Sequence, residues 1–359
     1  AEESMISIQN SIISLAKTVS NKIGYIAGYA SGTQSYEDTL FIGGSSLLNG
    51  EKEGFVAKVS GTNTIKNDAL DASKDLSVTV VTPDEFAVLF GITYINEANK
   101  ALLNSLNGTE NIMLTSNINL STLTWQNTVN FTGTFDGNGY KIVGLKPKDA
   151  TGYGLFQKFG GTIRNVYFTD VKLNARTAVI GYGISGHAFV ENVSVEIETI
   201  TYGYQDRLYW SGGLFGDLHN NSYSIENATV TMKDVLVSAP TETINASGGK
   251  AISFTSEDGS NKNNEFGFVT GCISANAIVM QNCYFVGGSG RINGYYDATT
   301  IPSLTTGVKN QDYFIFDNTD AFATEFESNK DVWNLSNFIK SACENLINPE
   351  VTEINQENI

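Results

Sequence analysis

One phrase is written several times along this chain, and its period limits the fold more than any other feature. Gly24 begins GYIAGYASGTQSYEDTLFIGG and Gly54 begins GFVAKVSGTNTIKNDAL. Gly154 begins GLFQKFGGTIRNVYF, Ala178 begins AVIGYGISGHAFVENVSV, Gly213 begins GLFGDLHNNSYSIENATV and Gly267 begins GFVTGCISANAIVMQNCYF. Each copy opens on a small residue, runs through apolar or small residues, passes a Gly/Ser/Asn turn and reaches an Asn followed by alternating apolar residues. The recurring positions are Asn10, Asn67, Asn165, Asn192, Asn227 and Asn282, with Asp38 in the same place. Steps of 28, 29 and 27 residues separate Asn10 from Asp38, Asp38 from Asn67, and Asn165 from Asn192. Steps of 35 and 55 then lead to Asn227 and Asn282, so those two coils carry inserts. A period near 28 with strand patterning and no helix in each repeat predicts an all-β solenoid of stacked parallel strands. One repeat cannot bury its own apolar face, whereas stacked repeats share a core. An Asn at one place per coil predicts a ladder of side-chain amides, each bonded to the next coil; the alternative is that these residues only form turns.

The stretch Phe131–Leu145, FTGTFDGNGYKIVGL, joins a dense turn at Asp136-Gly137-Asn138-Gly139 to apolar residues at strand spacing. Residues 5–15 alternate like a half-buried strand. We divide the chain into coils over 1–75, a helical insert or cap over 76–110, a main body over 111–335 and a C-terminal helix and tail over 336–359. Within the insert, Thr82-Pro83-Asp84-Glu85 reads as a helix start. Asn96–Leu106 reads as a second short helix, with Ala98, Ala101, Leu102 and Leu106 on one face. Loop inserts fall near 201–210 and 238–265. Ser336 is the expected cap of a helix carrying Phe338, Ile339, Ala342 and Leu346 on one side, stopped at Asn348-Pro349.

Composition narrows the function classes. A formal charge of −16 opposes nucleic acid, whose phosphates call for clustered Lys and Arg. Cys272, Cys283 and Cys343 make no disulfide framework and read as buried thiols, with a Cys272–Cys283 pair as the alternative. No apolar run is long enough to span a bilayer. Asn-X-Ser/Thr sequons stand at Asn107, Asn119, Asn130, Asn192, Asn220, Asn227, Asn245 and Asn334. They permit glycosylation, and a chain this rich in Asn and Thr produces such triplets by chance.

The repeats resemble a family of bacterial surface proteins built on a Gly-Leu-hydrophobic-Gly motif. Gly213-Leu214-Phe215-Gly216 carries the motif outright, while Gly154-Leu155-Phe156-Gln157 departs at its last position. Gly24, Gly54 and Gly267 begin looser versions. Trp125–Leu145 is similar to the lead-in of such repeats, and Val332-Trp333-Asn334-Leu335 to their ending. The resemblance spans Ser7 to about Leu335. It implies a right-handed parallel β-helix, secreted or displayed on a cell, serving as an adhesin, a stalk or a non-catalytic region of a larger surface protein.

Parallel β-helices also host polysaccharide lyases and hydrolases, and those need paired carboxylates or a calcium-holding acidic cluster. The residues preceding the repeated Asn are Lys66, Arg164, Glu191, Glu226 and Gln281, a mixed column of a solvated face. No acidic pair recurs in adjacent coils, so a non-enzyme is expected. His187 and His219 lack the Glu spacing of a zinc motif. No cofactor is expected. Calcium at Asp136 and Asn138 is the alternative to plain turn shaping, which the alternating Gly residues favour. The candidate binding patch is Tyr202, Tyr204, Asp206, Arg207, Tyr209 and Trp210: flat aromatic faces for a sugar ring or a protein, with a charged pair to orient it. The alternative is that Tyr209 and Trp210 pack on the coil. No Thr-X-Thr column of an ice-binding face recurs.

An open solenoid end exposes unpaired backbone, a hazard that proteins cover. Since residues 5–15 already read as a coil, three expectations stand. The chain is a piece of a longer repeat protein, the 82–106 segment folds back as a cap, or another subunit docks end to end. The expected partners are therefore further copies of the chain, with host or neighbouring-cell glycans or proteins as the alternative.

Overall fold

Residues that alternate apolar and polar form strands, and strands complete their backbone hydrogen bonds only against neighbours. In this protein the neighbours come from one repeat earlier and one repeat later. The computed structural model describes residues 6–9, 12–14, 30–31, 34–37, 40–42, 59–60, 63–66, 91–148, 152–202, 211–218, 224–225, 227–245, 252–253, 266–273, 277–288, 292–293, 308–333 and 335–349. The chain divides into two units, Ala1–Ile92 and Thr93–Ile359.

The first unit contains strands β1 (Ile6–Gln9), β2 (Ile12–Ser14), β3 (Ala30–Ser31), β4 (Gln34–Glu37), β5 (Leu40–Ile42), β6 (Val59–Ser60) and β7 (Asn63–Lys66). They pair in parallel as β1-β4-β7, β2-β5 and β3-β6, with Ile8 opposite Tyr36 and Tyr36 opposite Ile65. Asn10, Asn67 and the Thr82–Phe90 segment lie outside the described residues.

The second unit is mostly parallel sheet with two helices. Its strands are β8 (Ile92–Ile95, starting at the last residue of the first unit), β9 (Asn111–Leu114), β10 (Ile118–Asn119), β11 (Asn130–Phe131), β12 (Thr134–Asp136) and β13 (Lys141–Val143). Then come β14 (Phe156–Phe159), β15 (Thr162–Leu173), β16 (Gly181–Ile184), β17 (Ala188–Tyr202), β18 (Ser211–Gly212), β19 (Phe215–Leu218) and β20 (Thr229–Ala239). The last are β21 (Glu242–Asn245), β22 (Ile252–Ser253), β23 (Phe266–Gly267), β24 (Thr270–Ile273), β25 (Ala277–Gly287) and β26 (Val308–Phe316). One large sheet runs β26-β25-β20-β17-β15-β12-β9-β8, and a second runs β11-β14-β16-β19-β24. Each passage of the chain from β11 to β25 therefore adds a short strand to one sheet and a longer strand to the other. Pairing is parallel at every one of these steps for which a register is defined, and among the described strands only β21–β22 is antiparallel.

The long strands stay in phase with one core through a bend. Asn165, Asn192, Asp234 and Asn282 hold φ of 53°, 51°, 55° and 51°. Asn and Asp tolerate this left-handed region better than other residues with a side chain. Before the bend Ile163, Val190, Met232 and Met280 face inward; after it Val166, Val193, Val235 and Cys283 do, followed by Phe168, Val195, Val237 and Phe285. Each set is one in-register column, almost wholly excluded from water. Phe131, Phe156, Phe159 and Phe215 stack within the same core at centroid separations of 4.4 to 6.3 Å.

The Gly-Leu-Phe-Gly motif has a packing reason. Leu214 and Phe215 are fully buried. A Cβ at Gly213 would collide with the Phe268 carbonyl one repeat on, and one at Gly216 would enter the Tyr182 ring one repeat back. Both glycines are required by the close approach of these neighbours.

Three sequence expectations change. Asn227 does not stand between Asn192 and Asn282: the register Glu191↔Lys233 and Val193↔Val235 puts Asp234 there. Asn227 lies seven residues earlier, exposed, with its own left-handed φ of 59°. The phrase is met again as Asp234-Val235-Leu236-Val237, and the strand register takes that second copy. The Asn96–Leu106 helix is a 3-10 turn over Lys100–Asn104 that buries Leu103, leaving Ala101 and Leu102 exposed. Asn96 and Asn99 bond each other's backbone and start a tight turn instead. The third change concerns the C-terminal helical cap. Helix α1 (Thr319–Asn329, inside the expected main body) and helix α2 (Asn337–Ile347) lie against the outer face of the large sheet, not across its end. Phe322, Phe326, Phe338, Ile339, Ala342 and Cys343 cover Tyr167, Leu236, Tyr284 and Val286 there.

Candidate functional site

Two polar features stand out on the second unit. The first is the column at the strand bends. Asn165 Nδ2 donates to Asp136 Oδ1 at 3.1 Å, Asn192 Nδ2 to Asn165 Oδ1 at 3.1 Å, and Asn282 Nδ2 to Asp234 Oδ1 at 3.1 Å. Donors point the same way along the stack, and the run breaks at Asp234, which has no amide to offer Asn192. There the C-terminal segment intervenes: Ser336 Oγ donates to Asn192 Oδ1 at 2.8 Å while accepting from Ile339 N–H as the cap of α2. One hydroxyl thus closes the column and starts the helix that covers the sheet. Beside the column Arg164, Glu191, Lys233 and Gln281 are in register. Arg164 pairs with Asp136 at 2.8 Å and Lys233 with Glu191 at 2.8 Å. Burial holds the Asp234 carboxyl above its ordinary range, against the opposing pull of Asn282 and Lys233.

Both Asp136 oxygens are already engaged. Oδ1 accepts from Asn138 N–H at 2.8 Å and from Asn165, and Oδ2 takes the Arg164 pair. These are the bonds of a turn anchored to the next strand of the sheet. His187 is an exposed corner residue whose Nδ1 accepts from Thr229 N–H at 3.2 Å. Among the described residues no three His, Cys, Asp or Glu side chains gather as metal ligands would, and no helix is long and apolar enough to cross a membrane. Tyr204, Asp206, Arg207, Tyr209 and Trp210 lie outside the described residues; Tyr202 closes β17, its backbone opposite Asn245.

The second feature is a groove that periodicity could not reveal, because it forms where the helices meet the sheet. Two adjoining hollows, of about 120 and 310 Å³, share Glu196, Ser238 and Leu346. Outward residues of successive strands make the floor, with Lys141 at one end, Thr169, Ser194 and Glu196 in the middle, and Ser238 and Thr241 beyond. Asn345 and Leu346 from the end of α2, and Asn318 and Thr319 from the start of α1, make the wall. Glu196 stands at the mouth, reaching solvent. Its carboxyl is held above the ordinary range, first by desolvation and then by the like charge of Asp170, with Lys141 opposing and Glu198 adding. The neighbouring carboxylates have cations: Glu198 pairs with Lys172 at 3.0 Å and Glu191 with Lys233. Among the described residues Glu196 has none within pairing distance.

No family model, no curated protein and no solved structure matches the chain.

Proposed function

We propose that the chain is a right-handed parallel β-helix serving as an extracellular structural surface protein, adhesin-like or a fibre subunit, of the Gly-Leu-hydrophobic-Gly repeat kind. The observation that carries the helix is the register. Val166, Val193, Val235 and Cys283 continue one column while the chain visits a second sheet between each pair. Crossovers between parallel strands of one sheet are right-handed in about 98% of cases, which supplies the hand. The extracellular setting rests on the resemblance of the repeats, and the packing of Gly213 and Gly216 gives that motif a structural purpose.

The fibre reading rests on β26. Among the described residues nothing pairs with its far edge. Tyr313 and Ile315 continue the inward columns of Cys283 and Phe285, yet are only partly buried, and Phe314 is 41% exposed on the outer side. Unpaired strand backbone beside apolar side chains suits a further coil supplied by another molecule. Sedimentation velocity and negative-stain electron microscopy over a concentration series test this. Lengthwise association that Phe314→Glu reduces supports the fibre. Single particles at every concentration overturn it, and a compact outline overturns the β-helix as well. The groove at Glu196 favours a second reading, a ligand-binding surface domain that does not polymerise.

A further inference from the structure

Successive strands of a sheet lie about 4.8 Å apart. The groove floor crosses β13, β15, β17, β20 and β25, which sets its length at about 19 Å. An extended peptide advances about 3.3 Å per residue, so roughly six residues fill it. Hydroxyls of Thr169, Ser194, Ser238 and Thr241 offer both donors and acceptors, as main-chain recognition needs.

The middle of the groove is negative from two independent sources. Glu196 lacks a cation of its own, as described above. The C-terminal turn of α2 brings Asn345 and Leu346 to the same place and carries no basic residue to offset its exposed carbonyls. Asp170 and Glu198 add to the field, while Lys141 stands at the far end and Lys172 is engaged by Glu198. An overall charge of −16 draws a cationic partner in from a distance.

We propose that the groove between the large sheet and the two C-terminal helices binds an extended segment of a protein partner that places a lysine or arginine side chain against Glu196. This inference depends only on the sheet and its helices. Its failure leaves the stacking proposal untouched, and the reverse holds.

The test uses the full chain and an end-blocked, fluorescein-labelled hexapeptide of alternating lysine and serine, read by fluorescence polarisation at low salt. Saturable one-to-one binding is expected. Glu196→Gln should weaken it about fivefold, the scale of one partly exposed ion pair, and Glu196→Lys should abolish it. Glu327→Gln removes the same unit of charge on α1, where Glu327 pairs with Lys330 outside the groove, and should leave binding unchanged. Circular dichroism and melting establish that the variants fold. Equal weakening by Glu196→Gln and Glu327→Gln overturns the proposal, because the attraction is then general. Absence of saturable binding overturns it too. So does a neutral hexasaccharide that binds the groove more tightly than the peptide and is indifferent to Glu196→Gln.

Discussion

Replacing Asp234 by Asn should stabilise the protein, and the amount should depend on pH. Asp234 is 4% exposed and sits where a donor is missing from an otherwise continuous run of amides. An Asn there keeps the oxygen that accepts from Asn282 and adds an N–H toward the second lone pair of Asn192 Oδ1, whose first takes the Ser336 hydroxyl, across the Glu191↔Lys233, Val193↔Val235 register. Its φ of 55° suits Asn equally well. One buried hydrogen bond contributes about 1 kcal/mol net. The lost contact with Lys233 is long, 3.7 Å, and that lysine is half exposed and already bonded to Glu191, so its loss costs a few tenths, roughly. The net gain near pH 7 is about 1 kcal/mol, or about 2 °C in melting temperature for a unit of this size.

The sign of the pH dependence follows from the raised carboxyl. Between the ordinary aspartate range and the raised native value, the folded protein holds a proton that the unfolded chain has released. Native stability therefore falls as pH rises through that window. The variant lacks this dependence, so its advantage should be small in acid, where a protonated Asp234 can itself donate, and should grow to its full size above the window. Urea or thermal unfolding of both proteins from pH 3 to pH 8 measures it. A gap that ignores pH, or a variant less stable at pH 7, would refute the account of the column.

Three other outcomes are expected. Ser336→Ala removes the helix cap and the donor to Asn192 together, and should cost about 1 kcal/mol, with faster hydrogen exchange in the first turn of α2. Gly216→Ala drives a methyl group into the Tyr182 ring and should cost about 1–3 kcal/mol by urea unfolding, whereas Gly186→Ala, whose nearest neighbour would be 3.3 Å away, should cost less. The thiols should resist alkylation in the folded protein at pH 8 and all react once it unfolds. Cys272, Cys283 and Cys343 are buried, desolvation pushes the Cys283 thiol up to about 12, and it raises Cys343 as well.

How far the fold could be read from residues is clearest at the bends. Asn165 and Asn192 lie one short repeat apart, 27 residues, and a hydrogen bond joins them. The next in-register step is 42 residues and the one after it 48, and Asn227 with its alternating neighbours belongs to a corner. An insert shifts the phase, and one strand pattern resembles another until a partner strand selects the register. Helix α2 was legible from Ser336, Phe338, Ile339, Ala342 and Leu346. Helix α1 lies within the strand repeats, and its signals are few: Asn318 caps it through Ala321 N–H, and Phe322 and Phe326 are spaced for one face.

What the chain determines alone is local: where strands alternate, where Asn or Asp admits a left-handed bend, and where Gly lets coils approach. Those depend on a few consecutive residues and their steric limits. What only the folded molecule decides is which distant positions meet. Asp234 interrupts the amide column, Ser336 reaches Asn192 from 144 residues away, and the last turn of α2 faces Glu196 across a groove. The reason is physical: burial and electrostatic field at a point sum over neighbours brought together by packing, and no local pattern carries that sum.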